Sequence, residues 1–332
     1  KDMTVLLCKK KANCRLVNSI PKEVTILDEA NLTFLPKSIK NPVEVENERI
    51  AHIKDGVALT KFICWLKKNV GKIPITELSA GEKLYSFRAQ QENFIDNSFD
   101  PIISYGIHAA INHYSATPET DIAIEPGNFL LADTGGHYYE GTTDTTRTIV
   151  MGSVNDEQKK YFTAVLRGML NLGNAKFRYG CTGVNLDYLA RGPLWEMGQD
   201  FNHGTGHGVG YLLNVHEGPN SFRWRIIQGD NAVLEEGMIT SDEPGYYVEN
   251  QYGIRHENLL VCKKAEKTSF GQFMCFEHLT MVPFDLDAIV PELMTVQERA
   301  LLNNYHAQVY KKISPYLEEE EKEWLKEATR EI

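Results

Sequence analysis

The sequence predicts an α+β domain made of two matching halves. Three observations carry this. Apolar residues recur at helical spacing in two successive pairs of segments. Each pair is followed by short strand-like runs, and each half closes on a hairpin bearing two carboxylates. Of the 332 residues, 42% are hydrophobic and 24% charged, which is a composition for a sizeable core. The net charge of -10 argues against a nucleic-acid partner, which usually meets a basic face.

Residues 1 to 38 hold two short strand-like runs, Thr4-Leu7 and Val24-Leu27, and read as the tail of a preceding domain, too small for a core of its own. Lys1 is not an initiator methionine, so the chain reads as cut from something longer. Asn41-Pro42 marks a boundary, because a residue before proline avoids the helical region. The main domain is placed at 39–285 and a helical extension at 286–332.

In the first half, Ile50, Ile53, Val57, Ala58, Phe62, Trp65 and Leu66 line one helical face. A second helix is expected to start near Ser79, capped by Ser79 and Glu82. Strands are expected at Ile102-Tyr105, Ala110-Tyr114 and Phe129-Asp133. In the second half, helices are expected over Asn155-Lys176 and Val184-Trp195, and strands over Val209-Val215, Met238-Asp242 and Leu259-Cys262. Thr295 and Glu298 form a capping box for a last amphipathic helix, and the acidic run from Glu318 reads as a solvated helix face. The six cysteines, Cys8, Cys14, Cys64, Cys181, Cys262 and Cys275, form no C-x-x-C pair and suit a reduced, cytoplasmic protein. No apolar run reaches the ~18 residues of a membrane span, so no membrane partner is expected.

The chemistry is concentrated in three stretches. In "DTGGHYYEGTTDTTRT", Asp133 and Asp144 flank a turn containing Gly135, Gly136 and Gly141. If the strands pair antiparallel, the two carboxylates face each other and repel, and a cation between them reverses that penalty. On this stretch alone an ordinary turn role for both stays open. "SDEPGYYVENQYGIRHENLLVC" repeats the pattern with Glu243 and Glu257. Between them "HGTGHGVGYLLNVHEG" carries His203, His207 and His216, with glycines at 204, 206, 208 and 210 that let the backbone approach closely. Four carboxylates and an imidazole form a hard-leaning ligand set. It suits Mn²⁺, and also Zn²⁺, Co²⁺ or Fe²⁺, and it is not the spacing of a Cys/His structural zinc site.

Together these stretches resemble the pita-bread metallopeptidases, the M24 family that includes aminopeptidase P, prolidase and methionine aminopeptidase. The resemblance covers residues 40 to 285. The extension and the segment Phe276-Pro283 ("FEHLTMVP") are similar to the long, cytosolic-type Xaa-Pro aminopeptidases. It implies the pita-bread fold and hydrolysis of the bond between an N-terminal residue and a following proline, by two divalent metal ions and a water between them. It implies Asp133 on one metal, His207 and Glu243 on the other, and Asp144 and Glu257 bridging. Glu243 would carry the proton. His113, His203 and His216 would bind substrate carbonyls and the developing oxyanion, and Arg255 would contact substrate. Thr134 departs mildly from the family's usual serine or alanine. The partners implied are a peptide with proline at its second position and a second copy of the chain in a homodimer. Two alternatives remain: a prolidase restricted to dipeptides, with Arg223 or Arg225 as the cation for the product carboxylate, and a pita-bread binding module without catalysis.

Overall fold

The computed structural model describes residues 3–227, 229 and 231–332. The two halves are present. In the first, Asn41 caps the helix Pro42–Asn69 by a reciprocal box with Glu44, with Pro42 at the position where a missing N–H costs nothing. The helix Glu77–Arg88 follows, then an antiparallel sheet ordered Ile102–Tyr105, Asn128–Thr134, Thr145–Met151. Leu59, Phe62 and Leu66 of the long helix pack on Leu84 and on the sheet face formed by Ile103, Leu130 and Ile149. In the second half, the helices Asp156–Gly173 and Gly183–Trp195 accompany an antiparallel sheet ordered Ile239–Asp242, Asn258–Thr268, Gly271–His278, Lys176–Arg178.

The two sheets meet between residues 146–148 and 255–257. The Glu257 amide donates to the Thr146 carbonyl (3.1 Å), and the Arg255 amide and Thr148 hydroxyl are 3.0 Å apart. Arg147 locks this seam. Its guanidinium is buried and donates to the carbonyls of Glu257, Val282 and Pro283, to Asn258 Oδ1 (2.8 Å) and to the Tyr305 hydroxyl (3.0 Å). It also lies 4.0 Å over the Phe284 ring. Buried Leu302, Tyr305, Val309 and Ile313 of the helix Val296–Ile313 join the core that holds Phe162, Val165 and Met169. Thr295 and Glu298 cap this helix as expected, and in the acidic helix Glu319–Ala328 only Leu325 is buried.

Three local expectations are corrected. The second helix is capped by Thr76, whose hydroxyl accepts from the Ser79 amide while Ser79 Oγ accepts from the Thr76 amide, so Glu77 falls in the first turn and is buried. Ala110-Tyr114 is not a strand. Gly106 (φ 55°) opens a single 3-10 turn, Gly106–Ala110, and the Tyr114 hydroxyl is drawn to Glu77. Only Gly206–His207 is extended in the glycine-rich stretch, because Leu213 (φ 70°) and Asn214 (φ 52°) turn the chain in the left-handed region. At the N-terminal end, Thr4–Leu6 pairs in parallel with Thr25–Leu27. Lys37 reaches Glu217 (2.5 Å) and the Lys40 amide reaches the Gly237 carbonyl (3.0 Å).

Candidate metal centre

The four carboxylates converge on the seam between the sheets. Asp133 ends the strand Asn128–Thr134 and is in register with Thr146, not with Asp144. Asp144 precedes the partner strand by one residue, so alternation puts it on the same face as Thr146, diagonal to Asp133. Glu243 follows the strand Ile239–Asp242, and Glu257 precedes Asn258–Thr268, where Asp242 and Asn258 are paired.

His207 arrives on the two-residue strand Gly206–His207, which lies so close to Ser241 that a Cβ at Gly206 would sit 1.8 Å from the Ser241 carbonyl oxygen. The His207 amide donates to Ser241 Oγ (2.9 Å), and its Nδ1 faces the Gly208 carbonyl (2.9 Å). A carbonyl only accepts, so Nδ1 carries the proton and Nε2 offers a lone pair to the site. Nε2 lies 3.3 Å from Asp144 Oδ2 and 3.4 Å from Glu243 Oε1.

Three overlapping groups of donor atoms, each within 4.8 Å, fill this space: Asp144, His207 and His216; His207, Glu243 and Glu257; Asp133, Asp144 and Glu257. Asp133 Oδ1 is buried without a hydrogen-bond partner. Burial, together with the neighbouring carboxylates, pushes Asp144 and Glu257 well above the usual carboxylate range. Burial also raises Glu243, with His207 and Arg255 opposing it. Such a cluster is costly while it holds only protons, and two divalent cations bring four positive charges to four carboxylates. The donors present therefore fit a pair of hard divalent ions.

Around the cluster, Thr146 Oγ1 donates to Glu257 Oε2 (2.7 Å) and Ser241 Oγ to Glu243 Oε1 (3.0 Å). The Arg255 guanidinium donates to Asp133 Oδ2 (2.5 Å) and to the Tyr247 hydroxyl (2.7 Å). That hydroxyl lies 2.9 Å from His203 Nε2, while His203 Nδ1 faces the Gly204 carbonyl (2.8 Å). Burial and Arg255 push His203 down to about 3. His216 is pushed down to about 4 by partial burial and by His207.

Residues 46–264 match the model of metallopeptidase family M24, and residues 272–332 match the C-terminal region of peptidase M24. The chain belongs to metallopeptidase family M24. A probable Xaa-Pro aminopeptidase P from Paracoccidioides brasiliensis is 43% identical over 303 residues, which is 89% of this chain and 49% of that protein. The X-prolyl aminopeptidase from Caenorhabditis elegans, described as a cytosolic enzyme with a di-nuclear active site, superposes with a TM-score of 0.87 at 36% identity. That match covers 94% of this chain and 51% of the other. Prolidase from Pyrococcus furiosus superposes with a TM-score of 0.66 at 26% identity, over 84% of this chain and 76% of that one. These neighbours share the pita-bread α+β fold expected from the motifs. The M24 chain spans about half the length of the curated relatives it matches.

All five residues singled out as ligands in this M24 chain come together, and His216 enters the cluster beside them. His113 is exposed, yet close enough to act on both His203 and His216. Arg255, read as a substrate contact, is buried and engages Asp133 and Tyr247. Arg223 packs against Gly204 and acts on His216, whereas Arg225 is exposed beside Trp224. The last residue of the arginine-bearing stretch, Gln228, lies outside the described residues.

Two residues were missed. Tyr247 joins His203 to Arg255, and its strand partner Gly253, which leaves room for the ring, was the available signal. Asp242 is fully buried, and burial with Glu243 and Asp187 beside it holds it well above the carboxylate range. Nothing in its sequence position distinguishes it from a strand-end acid. Of the threonines flanking Asp144, Thr143 closes the turn on Gly136 and Thr146 serves Glu257.

Proposed function

We propose that this chain carries the catalytic domain, residues 39–285, of an Xaa-Pro aminopeptidase. It would release the first residue from peptides with proline second, with 286–332 as a helical extension. One observation carries the reading: five ligand residues converge, with His216 among them and His203 and His113 close enough to act on one another. Asp133 would hold one ion, His207 and Glu243 the other, with Asp144 and Glu257 bridging. Mn²⁺ is the preferred ion, with Zn²⁺, Co²⁺ or Fe²⁺ as substitutes. When bound, the ions supply Lewis-acid polarisation of the scissile carbonyl and a water of lowered pKa.

The chain's own residues do the rest. Glu243, at the edge of the cluster with Oε1 held by Ser241, accepts the water proton and returns it to the leaving nitrogen. Proline nitrogen bears no hydrogen in the peptide, so it cannot leave as an amine without that proton. His113 and His216 donate to the substrate carbonyls, each such donor contributing about 3 kcal/mol toward the oxyanion. His203, whose Nδ1 proton points to the Gly204 carbonyl, presents an acceptor at Nε2 and would take a substrate N–H on releasing Tyr247. Arg255 acts through Asp133, fixing its orientation. A cytoplasmic location and a homodimer belong to the same reading. Support for the location is the C. elegans relative's description as cytosolic.

The test is metal content together with release of arginine from Arg-Pro-Pro. Two ions per chain and tripeptide cleavage are expected. Cleavage of Arg-Pro alone would favour the prolidase reading, for which Arg223 beside His216 supplies a cation. Neither metal nor cleavage would leave a binding module, a reading that the complete ligand set weighs against.

A further inference from the structure

We propose that Glu77 is the positioning residue for His113. The inference rests on the reading above, in which His113 meets substrate. His113 lies on an irregular loop, residues 106–122, between the strands Ile102–Tyr105 and Asn128–Thr134. The exposed His113 ring would be expected to wander unless the loop beneath it is fixed.

The first turn of the helix Glu77–Arg88 holds both ends of that loop. At the entrance the Tyr105 amide donates to Glu77 Oε1 (2.7 Å). At the exit the Glu77 amide donates to the Ile122 carbonyl (3.2 Å) and the Leu78 amide to Asp121 Oδ1 (3.0 Å). The middle is held by the same carboxylate. The hydroxyl of Tyr114, the residue after His113, donates to Glu77 Oε2 (2.9 Å), and His108 Nδ1 lies 3.0 Å from both oxygens. The His108 and Tyr114 rings stack, with centroids 4.3 Å apart. The floor is equally tight: a Cβ on Gly253 would lie 1.8 Å from the Ala109 carbonyl oxygen, so the 3-10 turn rests on the strand Tyr252–Arg255 that carries Arg255.

The Glu77 side chain is fully buried and receives an amide, a ring N–H and a hydroxyl. Only a carboxylate offers two acceptor oxygens and no donor to such a set, and its charge is favoured in the first turn of a helix. The geometry thus makes a closed loop whose three anchors share one acceptor, with His113 next to one of them. Glu77 itself touches none of the proposed metal ligands through any of these bonds.

The test is Glu77→Gln, which keeps the size but must turn an NH₂ toward at least one of the three donors. Metal content should stay at the wild-type value, while kcat/KM on Arg-Pro-Pro falls about 10- to 100-fold. In a His113→Ala background the same change should cost less than about twofold, because residues acting as a unit are not additive. Tyr114→Phe should lie between. An equal loss with and without His113 would overturn the proposal. A readout without turnover keeps it separate from the function reading: NMR of ¹³C-labelled histidines should show His113 gaining mobility in Glu77→Gln while His203 does not. An unchanged His113 signal would also overturn it. If the wild type cleaves nothing, the function reading falls and the NMR result alone decides the positioning.

Discussion

Replacing Arg255 by methionine should destabilise the metal-free protein far more than the metal-loaded one. Arg255 is buried, and its guanidinium contacts Asp133 (2.5 Å) and the Tyr247 hydroxyl (2.7 Å). Burial opposes its charge, but Tyr247 and Asp133 hold its pKa well above the ordinary arginine value. Methionine fills similar space and leaves Asp133 without its cation. Stranding one member of a buried pair costs about 3–5 kcal/mol. With divalent ions in place Asp133 is compensated, and what remains is the Tyr247 hydrogen bond, about 1–2 kcal/mol. The difference, about 2–3 kcal/mol, must reappear as tighter metal binding by the variant, roughly 30- to 150-fold. Urea unfolding in chelator and in saturating Mn²⁺ measures the two losses, and a competition titration measures the affinity. Equal losses in both conditions, or weaker metal binding by Arg255→Met, would refute the reasoning.

Burial and the neighbouring acids raise Glu257 well above its usual value, so the folded chain holds that proton better than the unfolded one. The stability it contributes is whole below about pH 4 and is lost as pH rises through the raised value. In chelator, the urea midpoint of Glu257→Gln should therefore gain on wild type from pH 5 to 8, and a constant margin would count against the shift. His306 runs the other way. Burial and Arg147 push it to about 3, and its Nε2 accepts from the Phe284 amide (3.0 Å). Its stability is present above about pH 6.5 and lost as pH falls, so His306→Gln should flatten acid unfolding between pH 6 and 4 by about 1.4 kcal/mol per pH unit. Leu302 is fully buried, and Leu302→Ala should cost about 2–5 kcal/mol in metal-loaded protein, read by urea midpoint.

Asp133 stands out because it ends an apolar run, whereas His207 in its glycine-rich stretch and Asp144 among threonines become legible as ligands only through the resemblance of the three stretches to the M24 family. The hairpins and most helices followed from periodicity and caps. What stayed hidden depends on partners distant in sequence. Ala110-Tyr114 has strand-like composition, and the turn at Gly106 together with the distant Glu77 carboxylate makes it a loop. Tyr247 looks like any strand aromatic until Arg255 and His203 close on its hydroxyl. Ser79 offered a plausible cap, but Thr76 takes that role and sets Glu77 in the buried first turn. The departure of Asp144 from direct opposition to Asp133 is a matter of register, which alternation alone does not set.

Arg147 gives the seam a consequence for how the molecule comes apart. One guanidinium grips the carbonyl behind a candidate ligand, Glu257, and the carbonyls of Val282 and Pro283, while Tyr305 reaches in from the helix Val296–Ile313. Loosening that helix should therefore release the backbone that aims Glu257. The centre and the tail should melt as one cooperative unit, and their slowest-exchanging amides should share a single opening free energy.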